Sequence, residues 1–174
     1  MQGRPLGAGL RPAPIEFIVI LIIIQVNAMG QTCREIMTRN PACCEPGSTV
    51  EQVAVLMRKH NVGSVPVVES LQSLDLVGIV TDRDLTLKVL AEGRDPRATR
   101  VGEVMTARPI TCNPDDQINR ALETMARHQV RRLPVVEHGK VIGIIAQADI
   151  ATRLNAPADT AALVEEISRE WKDM

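Results

Sequence analysis

The sequence predicts an α/β fold in which two pseudo-symmetric repeats, each roughly β-α-β-β-α, pack sheet to sheet as one module. The first observation behind this is an internal repeat, the feature to establish before any other. The stretch "REIMTRNPACCEPGSTVEQVAVLMRKHNVGSVPVVE" aligns without a gap on "GEVMTARPITCNPDDQINRALETMARHQVRRLPVVE". Met37 falls on Met105, Pro46 on Pro114, Met57 on Met125, His60 on His128 and Pro66 on Pro134, all 68 residues apart. The offset drops to 65 at Gly78/Gly143 and Asp84/Asp149, so the second copy is shorter in the loop between. Second, each copy carries one helical stripe followed by two short β-branched runs, the patterns of a helix and a hairpin. Third, a unit of about 60 residues is marginal alone, and two related units can bury their sheet faces against each other.

The elements follow in order. Residues 1–28 read as a leader. "MQGRPLGAGLRPAP" is rich in Pro and Gly, and "FIVILIII" is an apolar run of eight, too short to span a bilayer as a helix of about 20 residues. Three readings stand for it: an unstructured stretch upstream of a true start at Met29, a secretory signal ending near "VNA", or an added β-branched strand.

Repeat 1 covers 31–90. After "CEPGS", Val50, Val53, Ala54 and Met57 share a helical stripe, with Ser48 and Glu51 offering a capping box. Ile118, Ala121, Leu122 and Met125 are the counterparts in repeat 2, which covers 101–155. "VPVVE" and "LPVVE" are strands, their prolines expected at the strand start. "EHGK" is a tight hairpin turn through Gly139. "LVGIVT" and "VIGIIA" are the second strands. Asp84 and Asp149 stand where the next helices, "LTLKVL" and "IATRL", need an N-cap. Residues 91–100 form a linker inside the module. Residues 156–174 form a C-terminal helix with Leu163, Ile167 and Trp171 on one stripe.

Composition narrows the function. Hydrophobic residues are 45%, charged residues 24% and the net charge −1, which offers no basic footprint for a nucleic acid. One Phe, one Trp and no Tyr leave no stacking platform for single strands. Cys33, Cys43, Cys44 and Cys112 contain no C-x-x-C pair and form neither a zinc pattern nor a disulfide framework. No metal site is expected, and a reducing compartment is. No activated nucleophile, catalytic carboxylate pair or P-loop is present, so the chain reads as a non-enzyme.

"VGSVPVV" with "GIVTDRD", and "VRRLPVV" with "GIIAQAD", resemble a pair of cystathionine-β-synthase-type (CBS) domains, a Bateman module, over Gln31 to about Asn155. The resemblance implies a non-catalytic sensor that binds an adenosine-containing ligand (AMP, ADP, ATP, NAD or S-adenosylmethionine) in the cleft between the repeats. It needs no further cofactor, and its partners are that small molecule, a second copy in a homodimer and a protein target. The residues themselves offer a chemical reason. An Asp carboxylate has two acceptor oxygens matched to the neighbouring hydroxyls of a ribose.

The family's ribose-binding Thr/Ser-x-x-Asp falls on Thr81 and Asp84. By the same resemblance the rest of that cleft comes from repeat 2: Thr106, Ile110, Thr111, Val130, Arg131 and Arg132. Ile110 and Val130 give aliphatic walls, and Arg131 or Arg132 meets a phosphate. The related cleft would combine Asp149 with Thr38, Cys43, Val62, Gly63 and Ser64. It is expected to be weak, because Ala146 replaces the hydroxyl and no arginine stands at Gly63 or Ser64. The alternatives are a purely structural dimerisation module, or a thiol sensor through Cys43 and Cys44. Location is expected to be cytoplasmic, or periplasmic if residues 1–28 are a genuine signal.

Overall fold

The structure, a computed structural model, describes residues 30–153. The expectations for residues 1–28 and for the 156–174 helix lie outside the described residues. Repeat 1 supplies α1 (Cys33–Ile36), β1 (Thr38–Arg39), α2 (Val50–His60), β2 (Ser64–Val68), β3 (Leu76–Thr81) and α3 (Asp82–Leu85), which runs on as a π-helical turn, Thr86–Leu90. Repeat 2 supplies α4 (Val101–Val104), β4 (Thr106–Ala107), α5 (Ile118–His128), β5 (Arg132–Glu137), β6 (Lys140–Ala146) and α6 (Gln147–Arg153). The fold is mixed α/β with two small antiparallel sheets. The short helix ahead of each first strand is an addition to the expected order.

The repeats exchange their first segments. The sheets run β2-β3-β4 and β1-β6-β5, so the opening strand of each repeat pairs with the hairpin of the other. Thr106 opposes Ile79, and Thr38 opposes Ile144. One core joins Val50, Val53, Val65 and Val80 of repeat 1 to Val101 and Val104 of repeat 2. The other joins Cys33, Ile36 and Met37 to Ile118, Leu133, Ile145 and Ile150. The exchange explains both motif glycines. A Cβ on Gly78 would lie 2.5 Å from the Sδ of Met105, and one on Gly143 would strike Met37 in the same way. The Met of each "MT" therefore seats on the Gly of the opposite hairpin.

A local dyad relates the halves. Leu76 N–H donates to the Gly139 carbonyl at 3.1 Å and Val141 N–H to the Leu74 carbonyl at 2.9 Å, a pair of bonds that maps onto itself. Residues 91–100 fold back on the start of α2, where Thr99 is buried and its carbonyl accepts from Val50 N–H at 3.1 Å.

Local readings shift in four places. The α2 cap is Thr49 with Gln52, one residue along from Ser48 and Glu51; the Ser48 hydroxyl instead accepts from Glu45 N–H. Val50, Val53 and Met57 are buried, but Ala54 is exposed, since its side of α2 faces water. Pro66 and Pro134 sit mid-strand, opposite Ile79 and Ile144. In each three-stranded sheet they lie on an edge strand, whose outer side needs no donor from proline. Asp84 is the third residue of α3, and Thr81 is its N-cap. The "EHGK" turn is as read: His138 and Gly139 both have positive φ, 50° and 82°, between the paired Glu137 and Lys140.

Candidate ligand-binding site

The Asp84 site is built where β3 runs into α3. Four N–H groups at the start of any helix lack intrahelical partners. Here Thr81 answers with its hydroxyl, which accepts from Asp84 N–H at 3.2 Å. The Asp84 carboxylate reciprocates: Oδ2 accepts from Thr81 N–H at 2.9 Å and from Thr81 Oγ1 at 2.6 Å. This capping box fixes the carboxylate at the mouth of the helix. One turn on, Lys88 reaches back to Asp84 Oδ1 at 2.8 Å. The same ammonium donates to the Val104 carbonyl at 2.7 Å, the last residue of α4 in repeat 2. Burial pushes the Asp84 carboxyl up, but Lys88 and the two Thr81 donors outweigh it and hold the group below the usual aspartate value. Asp84 is ionised and largely covered, its side chain 15% exposed.

Repeat 2 lies alongside β3 through the exchanged segment. Thr106 pairs with Ile79, two residues before Thr81 on the same face of the sheet. Ile110, Thr111 and Arg131 are exposed, whereas Val130 is half-buried and packs against the second core. Arg132 opens β5 opposite Ala146. Its Nη2 and the Asp82 Oδ2 would lie 3.1 and 2.8 Å from a Cβ on Gly63, so a side chain there would have to push these two charged ends aside. An open depression of about 350 Å³ collects Arg58, Val62, Gly63, Asp82 and Arg132. It thus combines Arg132 of one expected cleft with Val62 and Gly63 of the other.

The Asp149 end is plainer. Ala146 N–H donates to Asp149 Oδ2 at 3.3 Å, but Ala146 has no hydroxyl to complete the box. Thr38 pairs with Ile144 and is exposed, and Ser64 is buried opposite Thr81 in the other sheet. Cys43 donates its thiol to the Pro41 carbonyl at 3.3 Å. Burial pushes the Cys43 thiol up to about 11 and that of Cys44 up to about 12. Neither is a thiolate at neutral pH, and the thiolate is the reactive form. Lys88 is the residue that sequence reasoning missed. Its signal was present, since a lysine four residues after an aspartate meets it on one helical face.

A family model described as CBS domain matches residues 33–91 and 101–156. The chain belongs to the CBS domain family. It is 38% identical over 137 residues to the CBS domain-containing protein YhcV of Bacillus subtilis, covering 79% of this chain and 95% of that one. Among solved structures it is similar to the CBS domain pair of protein MJ0100 in complex with 5′-methylthioadenosine and S-adenosyl-L-methionine. That likeness has a TM-score of 0.64, 27% identity, and coverage of 71% of this chain and 94% of the other. It is also similar to CBSX2 in complex with AMP, with a TM-score of 0.61, 27% identity, and coverage of 71% and 96%. Among the described residues no helix is long and apolar enough to cross a membrane.

Proposed function

We propose that this CBS domain pair is a non-catalytic sensor that binds an adenosine-containing ligand at the Thr81–Asp84 end of its inter-repeat cleft. The observation that carries the reading is the Asp84 carboxylate, held ionised at a helix mouth and aligned by Thr81. Such a carboxylate can accept ribose hydroxyls, and the helix N-terminus behind it favours negative charge. Thr106 contributes from the other repeat, Ile110 and Val130 supply apolar wall, and Arg131 and Arg132 supply charge for a phosphate. The bound neighbours support this class of ligand: AMP on CBSX2, and two adenosyl compounds on MJ0100.

The second cleft, with Asp149, Thr38, Cys43, Val62, Gly63 and Ser64, is the weaker one. Occupancy of the first passes to a second copy or a protein target in the cytoplasm. The thiol-sensor alternative is disfavoured by the raised Cys43 and Cys44 thiols.

A thermal-shift series on the full chain with AMP, ADP, ATP, NAD and S-adenosylmethionine tests the reading. At a hundred times its dissociation constant a ligand adds about 2.7 kcal/mol of stability. One or more of these ligands should raise the melting temperature, and Asp84→Ala should abolish the rise. Flat curves with all five would leave a structural dimerisation module instead.

A further inference from the structure

We propose that Lys88 gates the Asp84 cleft: it occupies the carboxylate that a ribose diol needs, and a ligand enters by displacing it. The inference rests on the adenosyl reading and names the regulation of that same site. An ionised carboxylate offers about four acceptor positions. Two of them, both on Oδ2, are taken by Thr81 N and Thr81 Oγ1. A third, on Oδ1, is taken by Lys88 Nζ. The vacancy left is enough for one hydroxyl and too few for the two of a cis-diol. The Thr81 bonds close the helix cap, so breaking them costs the fold. The Lys88 bond is the one that can yield, because its side chain is 42% exposed and its stem is flexible.

The displaced ammonium is not an isolated group. It also holds the Val104 carbonyl at the end of α4, two residues before Thr106 begins the exchanged strand on β3. In the ligand-free protein Lys88 therefore ties α3 of repeat 1 to the α4–β4 segment of repeat 2 through one side chain. A ligand that claims Asp84 Oδ1 loosens that tie, which gives occupancy a route to the exchanged segment.

The test is isothermal titration of AMP and 2′-deoxy-AMP into the wild-type full chain, Lys88→Met and Lys88→Arg. A competing charge-assisted hydrogen bond is worth roughly a tenfold change in affinity. Lys88→Met should bind AMP about tenfold tighter than wild type, with little change for 2′-deoxy-AMP, which asks for one hydroxyl fewer. Lys88→Arg keeps the competitor and should stay within about threefold of wild type on the same scale. Hydrogen exchange at 104–107 should rise in ligand-free Lys88→Met and, in the wild type, on adding AMP. Binding by the wild type that weakens or holds steady in Lys88→Met would overturn the gate alone. No binding of either nucleotide by any of the three proteins would overturn the adenosyl reading, and the gate with it.

Discussion

The two ends of the module are built from the same parts and differ in a few side chains. At the first, Thr81 caps α3, aligns Asp84 with two short hydrogen bonds and leaves Oδ1 to Lys88. At the second, Ala146 stands in the place of Thr81, and its N–H meets Asp149 at 3.3 Å. The scaffold around them is nearly the same: both opening strands cross to the other hairpin, and both methionines seat on a glycine. The repeat specifies the fold, whereas single side chains set the hydrogen bonding at each helix mouth.

The largest difference between the two halves is expected at the glycines. A Cβ on Gly143 meets the Cγ and Cβ of Met37 at 2.8 and 3.0 Å, close to the backbone, where Met37 cannot swing away. At Gly78 the nearest atom is the Met105 Sδ, the mobile part of the side chain, and the next are 3.2 Å away. Overpacking of a core costs about 1 to 3 kcal/mol. Gly143→Ala should fall toward the upper end and Gly78→Ala toward the lower, as read by urea midpoints. Equal costs would mean that the two Met–Gly contacts relax alike.

A smaller effect is expected at the helix caps. Thr81→Ala should cost about 1 kcal/mol through the lost N-cap. The reverse substitution, Ala146→Thr, should stabilise the second repeat by a similar or smaller amount, because Asp149 is already placed as its partner. Chemical denaturation of the two variants checks both signs. A destabilising Ala146→Thr would show that the second helix mouth has no room for the hydroxyl.

The smallest effect is in acid. The Asp84 carboxyl is held below its ordinary value, so its contribution to stability is complete above the unfolded value of about 3.9. It is lost as the pH falls through the lower folded value. Asp84→Asn should therefore flatten the fall in stability below about pH 4. Melting temperatures between neutral pH and acid give the result; an unchanged acid limb in Asp84→Asn would place the titration elsewhere.

Much of this was legible in the sequence because a tandem repeat of one helical stripe and two β-branched runs, differing in length only in the loop between those runs, admits few architectures. The Gly139 turn and the pairing of "VPVV" with "GIVT" were legible for the same reason. The caps slipped locally: Ser48 and Thr49 are adjacent residues of similar chemistry, and only backbone geometry selects the second. The exchange of α1–β1 and α4–β4 was not legible, since each segment is equally apolar toward either hairpin. Three-dimensional fit of Met37 on Gly143 and of Met105 on Gly78 decides it. In the site, Thr81 and Asp84 stood out by motif. Lys88 did not, because a lysine at that spacing normally reads as a solvated helix pair rather than a bridge to Val104.

One equipped cleft on a two-fold repeated frame should show itself in the stoichiometry of ligand binding. Isothermal titration of the best-stabilising adenosyl ligand into wild type, Asp84→Ala and Asp149→Ala should give one tight site per chain, lost in Asp84→Ala and kept in Asp149→Ala. Two equal sites in the wild type, or loss of binding in Asp149→Ala with retention in Asp84→Ala, would contradict it.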